Sequence, residues 1–318
     1  MDEGGTTMDL LVRTMTLESE GVLSVILEDP GGGPLPGWEQ GAHLELELGG
    51  LPRHYSLCGT PEDSLRYRIA VLRDPDSRGG SAHVHERLRP GDLVTVRGPR
   101  NRFPLVTAER YLFVAGGIGI TPLLPMIAAV EAAGVPWRLA YGGRRRASMA
   151  FRAELAAYGD AVTLLPEDEL GRMDLKALLG TPDAATAVYC CGPEGLLAAV
   201  EEACAAWPEG SLHVERFAAA PRAETDAGAE REFEVECRQS GVVVTVPRDQ
   251  PIIDALEAAG VWVASACREG ICGSCETKVV EGEPDHRDSL LTAQERASGT
   301  TMMPCVSRAF SGRLVLDL

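Results

Sequence analysis

The sequence predicts a multidomain chain: an antiparallel β-barrel, then an α/β domain built on a parallel sheet, then a small α+β domain. Three observations carry that expectation. A length of 318 residues exceeds one ordinary core. Near Tyr111 the hydrophobic rhythm changes from short β-rich runs to strands alternating with helices. Around residues 218–230 the chain turns to Ala, Pro and charge, the composition of a tether. The expected divisions are therefore 1–106, 107–217, a linker at 218–230, and 231–318.

In the first segment the runs Leu23–Leu27, His43–Leu48, Tyr67–Leu72 and Leu93–Val96 are separated by turn residues such as Gly31-Gly32-Gly33-Pro34 and Arg89-Pro90-Gly91-Asp92. Short strands with tight turns suit a small antiparallel barrel. In the second, the apolar strand Tyr111–Ala115 leads through glycines into a helix over Pro122–Ala133. The strands Trp137–Tyr141 and Ala187–Cys191 follow, the latter before a helix from Glu194 to Ala206. Strands alternating with helices imply βαβ units and a parallel sheet. In the third, Phe233–Arg238 and Val242–Val246 read as a hairpin, Ile252–Ala259 as a short amphipathic helix, and Leu314–Leu318 as a closing strand.

Composition narrows the function. Thirty basic against forty-seven acidic side chains give a formal charge of −17, which repels a phosphate backbone and makes nucleic acid a poor partner. No apolar run approaches the roughly 18 residues of a membrane span, and the opening Met1-Asp2-Glu3 is acidic where a secretory signal is basic. The expected location is the cytoplasm, without membrane contact, and a monomer is the simplest expected state.

Nine cysteines, an odd number in a reducing compartment, argue against a disulfide framework. Cys267, Cys272, Cys275 and Cys305 are spaced C-x4-C-x2-C-x29-C, the plant-type ferredoxin arrangement for a [2Fe–2S] cluster. Three thiolates on one loop and a fourth from afar can hold two irons, two sulfurs each. The glycines of Cys267-Arg268-Glu269-Gly270-Ile271-Cys272-Gly273-Ser274-Cys275 let backbone N–H groups approach the sulfurs. Zinc sites usually present two close pairs of ligands, and a redox pair at Cys272 and Cys275 leaves the other two cysteines unexplained. A cluster of this type passes one electron at a time.

Ala115-Gly116-Gly117-Ile118-Gly119-Ile120-Thr121-Pro122 joins a strand to a helix, and its missing Cβ atoms let a pyrophosphate approach a helix N-terminus. Cys191-Gly192-Pro193 forms a second such turn in the same expected sheet. Two strand-end turns together make a nicotinamide site. Arg144, first of three arginines after the second strand, is placed to meet a 2′-phosphate, a diphosphate or only solvent. The coenzyme is therefore NADH or NADPH, with NADH favoured.

In the barrel, Arg53-His54-Tyr55-Ser56 contains the pattern R-x-Y-S. Arginine can hold a phosphate by paired hydrogen bonds, tyrosine can lie against a flavin ring, and serine can donate near the reactive flavin nitrogen. Arg78-Gly79-Gly80-Ser81 offers backbone N–H groups and a hydroxyl for a second grip on phosphate.

Taken in order, these motifs together with Glu215-Arg216-Phe217 and the C-terminal cysteines resemble the phthalate dioxygenase reductase family over nearly the whole chain. The resemblance implies an FMN-binding β-barrel, a nicotinamide domain of the ferredoxin–NADP reductase type and a C-terminal β-grasp ferredoxin domain. It implies that Arg53 and Ser81 hold the FMN phosphate, with Gly79 and Gly80 beside them. Tyr55 and Ser56 would face the isoalloxazine, and Ala70, Val71 and Leu72 would contact it by backbone. Thr121 would touch flavin and nicotinamide, and Phe217 would cover the ring face where nicotinamide enters. Ser56, Thr121 and Phe217 are thus the expected catalytic residues. His54 fills the variable place of the motif among the cofactor-binding candidates, without a specific role.

A nicotinamide coenzyme delivers two electrons as hydride and the cluster accepts one, so a flavin between them is the converter that both require. The expected function is a reductase feeding a Rieske-type aromatic oxygenase or demethylase. A cytochrome P-450 type monooxygenase is an alternative partner. A non-catalytic zinc-binding interaction module is the alternative of another class.

Overall fold

The computed structural model describes residues 6–75, 79–218 and 231–318. The chain divides into two compact units, Met1–Glu215 and Arg216–Leu318. Arg78 and all of the expected linker beyond residue 218 lie outside the described residues.

The first unit opens with β1 (Thr7–Ser19), β2 (Val22–Glu28), β3 (Ala42–Glu47), β4 (Pro52–Ser56), β5 (Arg66–Leu72), α1 (Gly80–Glu86) and β6 (Leu93–Asn101). The six strands form an antiparallel sheet in the order β4-β3-β6-β1-β2-β5. Its two edges meet just beyond β4, where Leu57 bridges Ile69 and the Cys58 N–H donates to the Arg68 carbonyl at 2.8 Å. Closure turns the sheet into a barrel and removes its open edges. Leu44, Leu46, Tyr67, Ile69 and Val96 fill the interior. The long strand β1 escapes the sequence pattern because a bulge between Val12 and Thr14 shifts its pairing and breaks the alternation of inward residues.

The unit continues with β7 (Arg110–Gly116), α2 (Leu123–Ala132), β8 (Trp137–Gly143), α3 (Arg152–Leu155), β9 (Val162–Pro166), α4 (Glu167–Leu170), α5 (Leu175–Leu179), β10 (Thr186–Cys191), α6 (Glu194–Ala203) and β11 (Leu212–Glu215). All five strands are parallel, in the order β11-β10-β7-β8-β9. The chain starts at β7, builds outward through β8 and β9, then returns to lay β10 on the other side of β7. That reversal leaves a crevice at the carboxyl ends of β7 and β10. The helix expected from Pro122 is preceded by a 3-10 turn at Gly117–Ile120, and Pro122 is its N-cap.

Barrel and parallel sheet are joined through a strap stapled by two tyrosines. The Val106 N–H donates to the Tyr189 hydroxyl at 2.7 Å, which donates to the Pro104 carbonyl at 2.9 Å. Tyr111 donates to the Val106 carbonyl at 2.8 Å and accepts from the Ala108 N–H. Burial pushes the Tyr189 hydroxyl up to about 12. A second joint is Arg68 of β5, which pairs with Glu18 at 3.2 Å and Glu154 at 2.9 Å and lies 4.7 Å over the Phe151 ring. Phe151 adopts φ +59°, a left-handed backbone that a bulky residue holds only when its surroundings fix it.

The second unit contains β12 (Phe233–Cys237), β13 (Val243–Val246), α7 (Ile252–Ala258), β14 (Thr277–Glu281), β15 (Pro284–Asp285), α8 (Ala293–Ser298), β16 (Thr301–Met302), β17 (Arg308–Ala309) and β18 (Arg313–Leu316). Its main sheet runs β13-β12-β18-β14-β16, with β12 and β18 parallel and the hairpin β12–β13 as expected. Ile252, Ile253 and Leu256 of α7 pack on Phe233, Val235 and Leu314. The two-residue strands β15, β16 and β17 are too short to show a period, which is why the sequence conceals them.

Replacing Tyr189 with Phe removes the hydroxyl that both accepts and donates within the strap. The expected loss is roughly 1–3 kcal/mol, because two hydrogen bonds of about 0.5–1.5 kcal/mol each are removed. Denaturant unfolding of the purified protein measures it.

Candidate functional site

The two strand-to-helix turns meet backbone to backbone. A Cβ on Gly119 would lie 2.2 Å from the Cys191 carbonyl oxygen and 2.6 Å from the Gly192 nitrogen. One on Gly116 would lie 2.7 Å from Pro193 Cδ and from a Leu196 methyl, and one on Gly192 would lie 3.0 Å from Gly116 Cα. These three glycines are thus demanded by contact between the turns. Gly117 differs: it has φ +55° and open space where a side chain would be, so the approach of a ligand to the turn falls to this residue. The Thr121 hydroxyl is buried and donates to the Ile118 carbonyl at 2.9 Å.

At the same crevice the Ser56 hydroxyl, from the end of β4, donates to Glu215 Oε2 at 3.4 Å. Glu215 ends β11 in register with Cys191 on β10. Burial pushes its carboxyl up to about 8, with the Ser56 contact opposing the rise, which favours the protonated form at neutral pH. The Cys191 thiol is raised well above its usual range by burial and then by Glu215 and Cys190, and is an uncharged lining residue. The sequence reading used Glu215 only as part of a motif. Its signal was position: an acid ending an apolar strand.

The barrel residues divide by the alternation of β4. Arg53 lies against Gly80, whose Cβ would sit 2.6 Å from Arg53 Cγ, so the structure brings together the two segments read as a phosphate grip. The Ser81 hydroxyl accepts from the Asp74 N–H at 3.1 Å, which leaves its own proton to donate. Tyr55 is half-buried on the barrel core, and burial pushes its hydroxyl up to about 12. His54 points to the other face from Arg53 and Tyr55, 3.8 Å from Glu45 and edge-on to His43. Along β5, Ala70 packs into the core of the parallel-sheet region, Val71 packs into the barrel, and Leu72 is exposed. The Val71 carbonyl bonds to His85 Nε2 at 2.9 Å. A guanidinium, a hydroxyl donor and glycine backbone near one another form a donor set that fits a flavin phosphate. Arg144 is exposed at the end of β8, and Phe217 stands just past the unit boundary, partly exposed.

In the second unit the four predicted ligand thiols come together as two touching pairs, Cys267 with Cys272 and Cys275 with Cys305. Cys305 hydrogen bonding lowers the Cys275 thiol, and the contact with Cys272 followed by burial raises the Cys267 thiol far above its ordinary range. The Glu269 N–H donates to Cys267 Sγ at 3.3 Å, and backbone N–H groups of Ile271 and Gly270 serve Cys267 and Cys305. Sulfurs in two pairs ringed by amide donors fit a two-iron cluster.

The loop is shaped by its neighbours. At Gly270, φ +70°, a Cβ would meet Asp288 Cα at 2.9 Å. Arg268 adopts φ +55° between two ligand positions, with its guanidinium on Asp254 and Glu257 of α7 at 2.7 Å each. Ser274 Oγ accepts the Ala266 N–H at 2.8 Å and touches Cys272 Sγ at 3.0 Å. Buried Asp288 accepts from the Leu290 and Leu291 N–H groups. Ser274 and Asp288 were not singled out from sequence, since nothing in their spacing marks them.

A barrel with a phosphate grip, a parallel sheet with a two-turn crevice and a four-thiol loop define a nicotinamide-dependent oxidoreductase carrying flavin and iron–sulfur. Residues 230–310 match the family described as the 2Fe-2S iron-sulfur cluster binding domain. The chain is 42% identical over 314 residues to the phenoxybenzoate dioxygenase subunit beta of Ectopseudomonas oleovorans, covering 98% of this chain and 97% of that protein. With the phthalate dioxygenase reductase of Burkholderia cepacia it shares 40% identity, over 93% of each. The solved phthalate dioxygenase reductase, a modular structure for electron transfer from pyridine nucleotides to [2Fe–2S], is 38% identical with a TM-score of 0.72 and 98% coverage of both chains. An intact type IV self-sufficient cytochrome P450 monooxygenase is 46% identical with a TM-score of 0.93, covering 98% of this chain. This chain spans only 41% of that larger one. The chain belongs to the phthalate dioxygenase reductase family and is an NAD(P)H-dependent flavin and [2Fe–2S] oxidoreductase.

Two outcomes follow from the crevice. Gly119→Ala should destabilise the first unit by roughly 1–3 kcal/mol, the cost of overpacking where backbone must move, read as a lower denaturation midpoint. For Glu215, the unfolded chain releases a proton near pH 4.5 that the folded chain keeps until about pH 8, so its effect on stability worsens as pH rises through that window and then levels. Glu215→Gln should match the parent's melting temperature near pH 4 and exceed it at pH 9. An equal difference at both pH values would refute a neutral buried carboxyl.

Proposed function

We propose that this chain is the reductase component of an oxygenase system, taking hydride from NADH or NADPH and delivering single electrons to a separate terminal oxygenase. When bound, FMN and the [2Fe–2S] cluster supply the exchange between a two-electron donor and a one-electron acceptor. The observation that carries this reading is that Cys267, Cys272, Cys275 and Cys305 stand in two thiol pairs on the same chain as the crevice where the Gly116–Gly119 and Cys191–Pro193 turns meet.

The proposed parts are an FMN barrel over 1–106, a nicotinamide region over 107–217, a linker over 218–230 and a ferredoxin domain over 231–318. Arg53 and Ser81, with Gly79 and Gly80, hold the FMN phosphate. Tyr55 lies along the ring, Ser56 offers its hydroxyl, and Ala70-Val71-Leu72 supply backbone contacts. Gly116, Gly117, Gly119 and Thr121 on one turn, with Cys191, Gly192 and Pro193 on the other, receive the nicotinamide end of the coenzyme. Phe217 shields the ring until coenzyme enters, and Arg144 lies towards the adenosine end. Glu215, whose carboxyl burial pushes up to about 8, holds its side chain against Ser56 Oγ and favours the protonated form there. His54 packs on Glu45 and His43 and holds no cofactor in this scheme.

A Rieske-type aromatic oxygenase or demethylase is the favoured partner. End-to-end relatives are named as parts of dioxygenase systems, and another, 41% identical over 98% of this chain, is the vanillate O-demethylase oxidoreductase of a Pseudomonas strain. A haem-thiolate partner is the second reading, supported by the fold agreement with the self-sufficient P450. Among the described residues no helix is long and apolar enough to cross a membrane, and the charge of −17 disfavours nucleic acid. Reconstitution with each kind of oxygenase separates the readings by product formation.

Cys272→Ser should leave coenzyme able to bleach the flavin absorbance while abolishing anaerobic reduction of cytochrome c. A variant as fast as the parent with cytochrome c would remove the cluster from the relay.

A further inference from the structure

A carboxylate taken out of water costs free energy unless it is paired and hydrogen-bonded. The second unit holds one behind its thiol loop. The Asp288 side chain has no exposed surface. Its Oδ2 accepts the Leu290 and Leu291 N–H groups at 3.0 and 2.8 Å. Among the described residues its Oδ1 accepts no hydrogen bond, and His286 Nδ1 stands 3.9 Å away. An asparagine could take both amides on its one carbonyl oxygen without burying a charge, so the turn by itself does not call for an aspartate. Nearby positive charge balances it only in part. Arg296 Nη2 lies 3.7 Å from Oδ2, while the same guanidinium donates to the Asp288 carbonyl at 2.6 Å and the Leu291 carbonyl at 3.0 Å. Arg287 pairs with Asp285 at 2.7 Å.

The turn that this carboxylate holds is the outer wall of the cluster loop. Gly270 lies against Asp288 Cα, with no room for a Cβ between them. The next residue, Ser289, donates its N–H to the Gly270 carbonyl at 2.9 Å. The same peptide unit presents the Ile271 N–H to Cys267 Sγ, and the Gly270 N–H serves Cys305. One amide thus links the Asp288 turn to a ligand sulfur, and hydrogen bonds in such a chain polarise one another.

We propose that Asp288 is a positioning residue for the cluster: its turn aims the Gly270–Ile271 peptide at Cys267, and its buried negative charge holds the reduction potential down. This rests on the reductase reading, in which a cluster that resists its electron hands it on more readily to a partner. Adding an electron brings negative charge towards Asp288 where water screens little, and net charge is one of the settings of an iron–sulfur potential.

The test is a dithionite titration of the anaerobic holoprotein with redox mediators, following the EPR signal of the reduced cluster as it takes up one electron. Asp288→Asn keeps an acceptor for both amides and removes the charge. It should favour reduction by about tenfold in equilibrium constant, about 59 mV upward for one electron. Arg296→Gln removes the facing positive charge and should move the potential downward by about threefold, less at high salt because the guanidinium is partly exposed. Loosening of the loop would shift both variants in one direction. That result overturns the proposal, as does an unchanged potential in Asp288→Asn. Iron content and visible absorbance equal to the parent's show that a variant keeps its loop. Should Asp288→Asn fail to hold iron, Arg296→Gln decides alone, a fall in potential supporting the role of charge and no shift refuting it. A parent cluster that dithionite reduces and neither NADH nor NADPH does would sink the relay instead, while the two potentials still decide the role of Asp288.

Discussion

The meeting of two glycine turns governs the first unit. A parallel sheet places the carboxyl ends of neighbouring strands only a strand spacing apart, but the turns leaving β7 and β10 would normally be held off by their side chains. Here Gly119 seats directly on the Cys191 carbonyl and Gly116 against Gly192 and Pro193. The closeness brings Cys191, and through strand register Glu215, to a crevice that Ser56 of the barrel also reaches. Close packing of backbone on backbone resists adjustment, because no flexible side chain lies between the turns to absorb a shift. Hydride transfer demands that kind of fixed geometry, since a displacement of an ångström is costly in rate.

A different device shapes the second unit. Its ligand loop has few apolar groups to bury and little regular structure, so its form comes from what surrounds it. Arg268 is tied to α7 by two carboxylates, Ser274 closes the turn from within, and Gly270 is pressed on Asp288, one oxygen of which accepts two backbone amides. The thiols then face one another without relying on a long hydrophobic core. Cys275 and Cys305 nonetheless pack beside Val263, Leu291 and Met303, which keeps water from one side of the site. Low solvent access is one of the levers that tune an iron–sulfur centre.

Much of this was legible along the chain. The four cysteines announce themselves because metal ligation imposes a spacing that survives any change in the intervening residues. The strands β2, β3, β5, β7, β8, β10, β12 and β13 are visible because each buries one face or both, and the glycine turns because only glycine tolerates their contacts. Other parts are silent for physical reasons. β1 is bulged, β9 is a half-buried edge, and β15 to β17 are two residues long. Ser274 and Asp288 act through hydrogen bonds that any small polar residue in a loop could equally lack.

By itself, the order of residues determined the kinds of chemistry available: a thiol set for iron and sulfur, a cationic and hydroxylic grip for a phosphate, and two turns without side chains at strand ends. Those are local properties, written in spacing and in the absence of Cβ atoms. Tertiary structure alone decided which groups share a place and in what charge state. The Glu215 carboxyl is pushed up because folding takes it out of water, and two of the three arginines after β8 are paired because carboxylates far away in sequence come to lie against them. Charge and burial are set by neighbours in space, and those neighbours are chosen only when the sheets close.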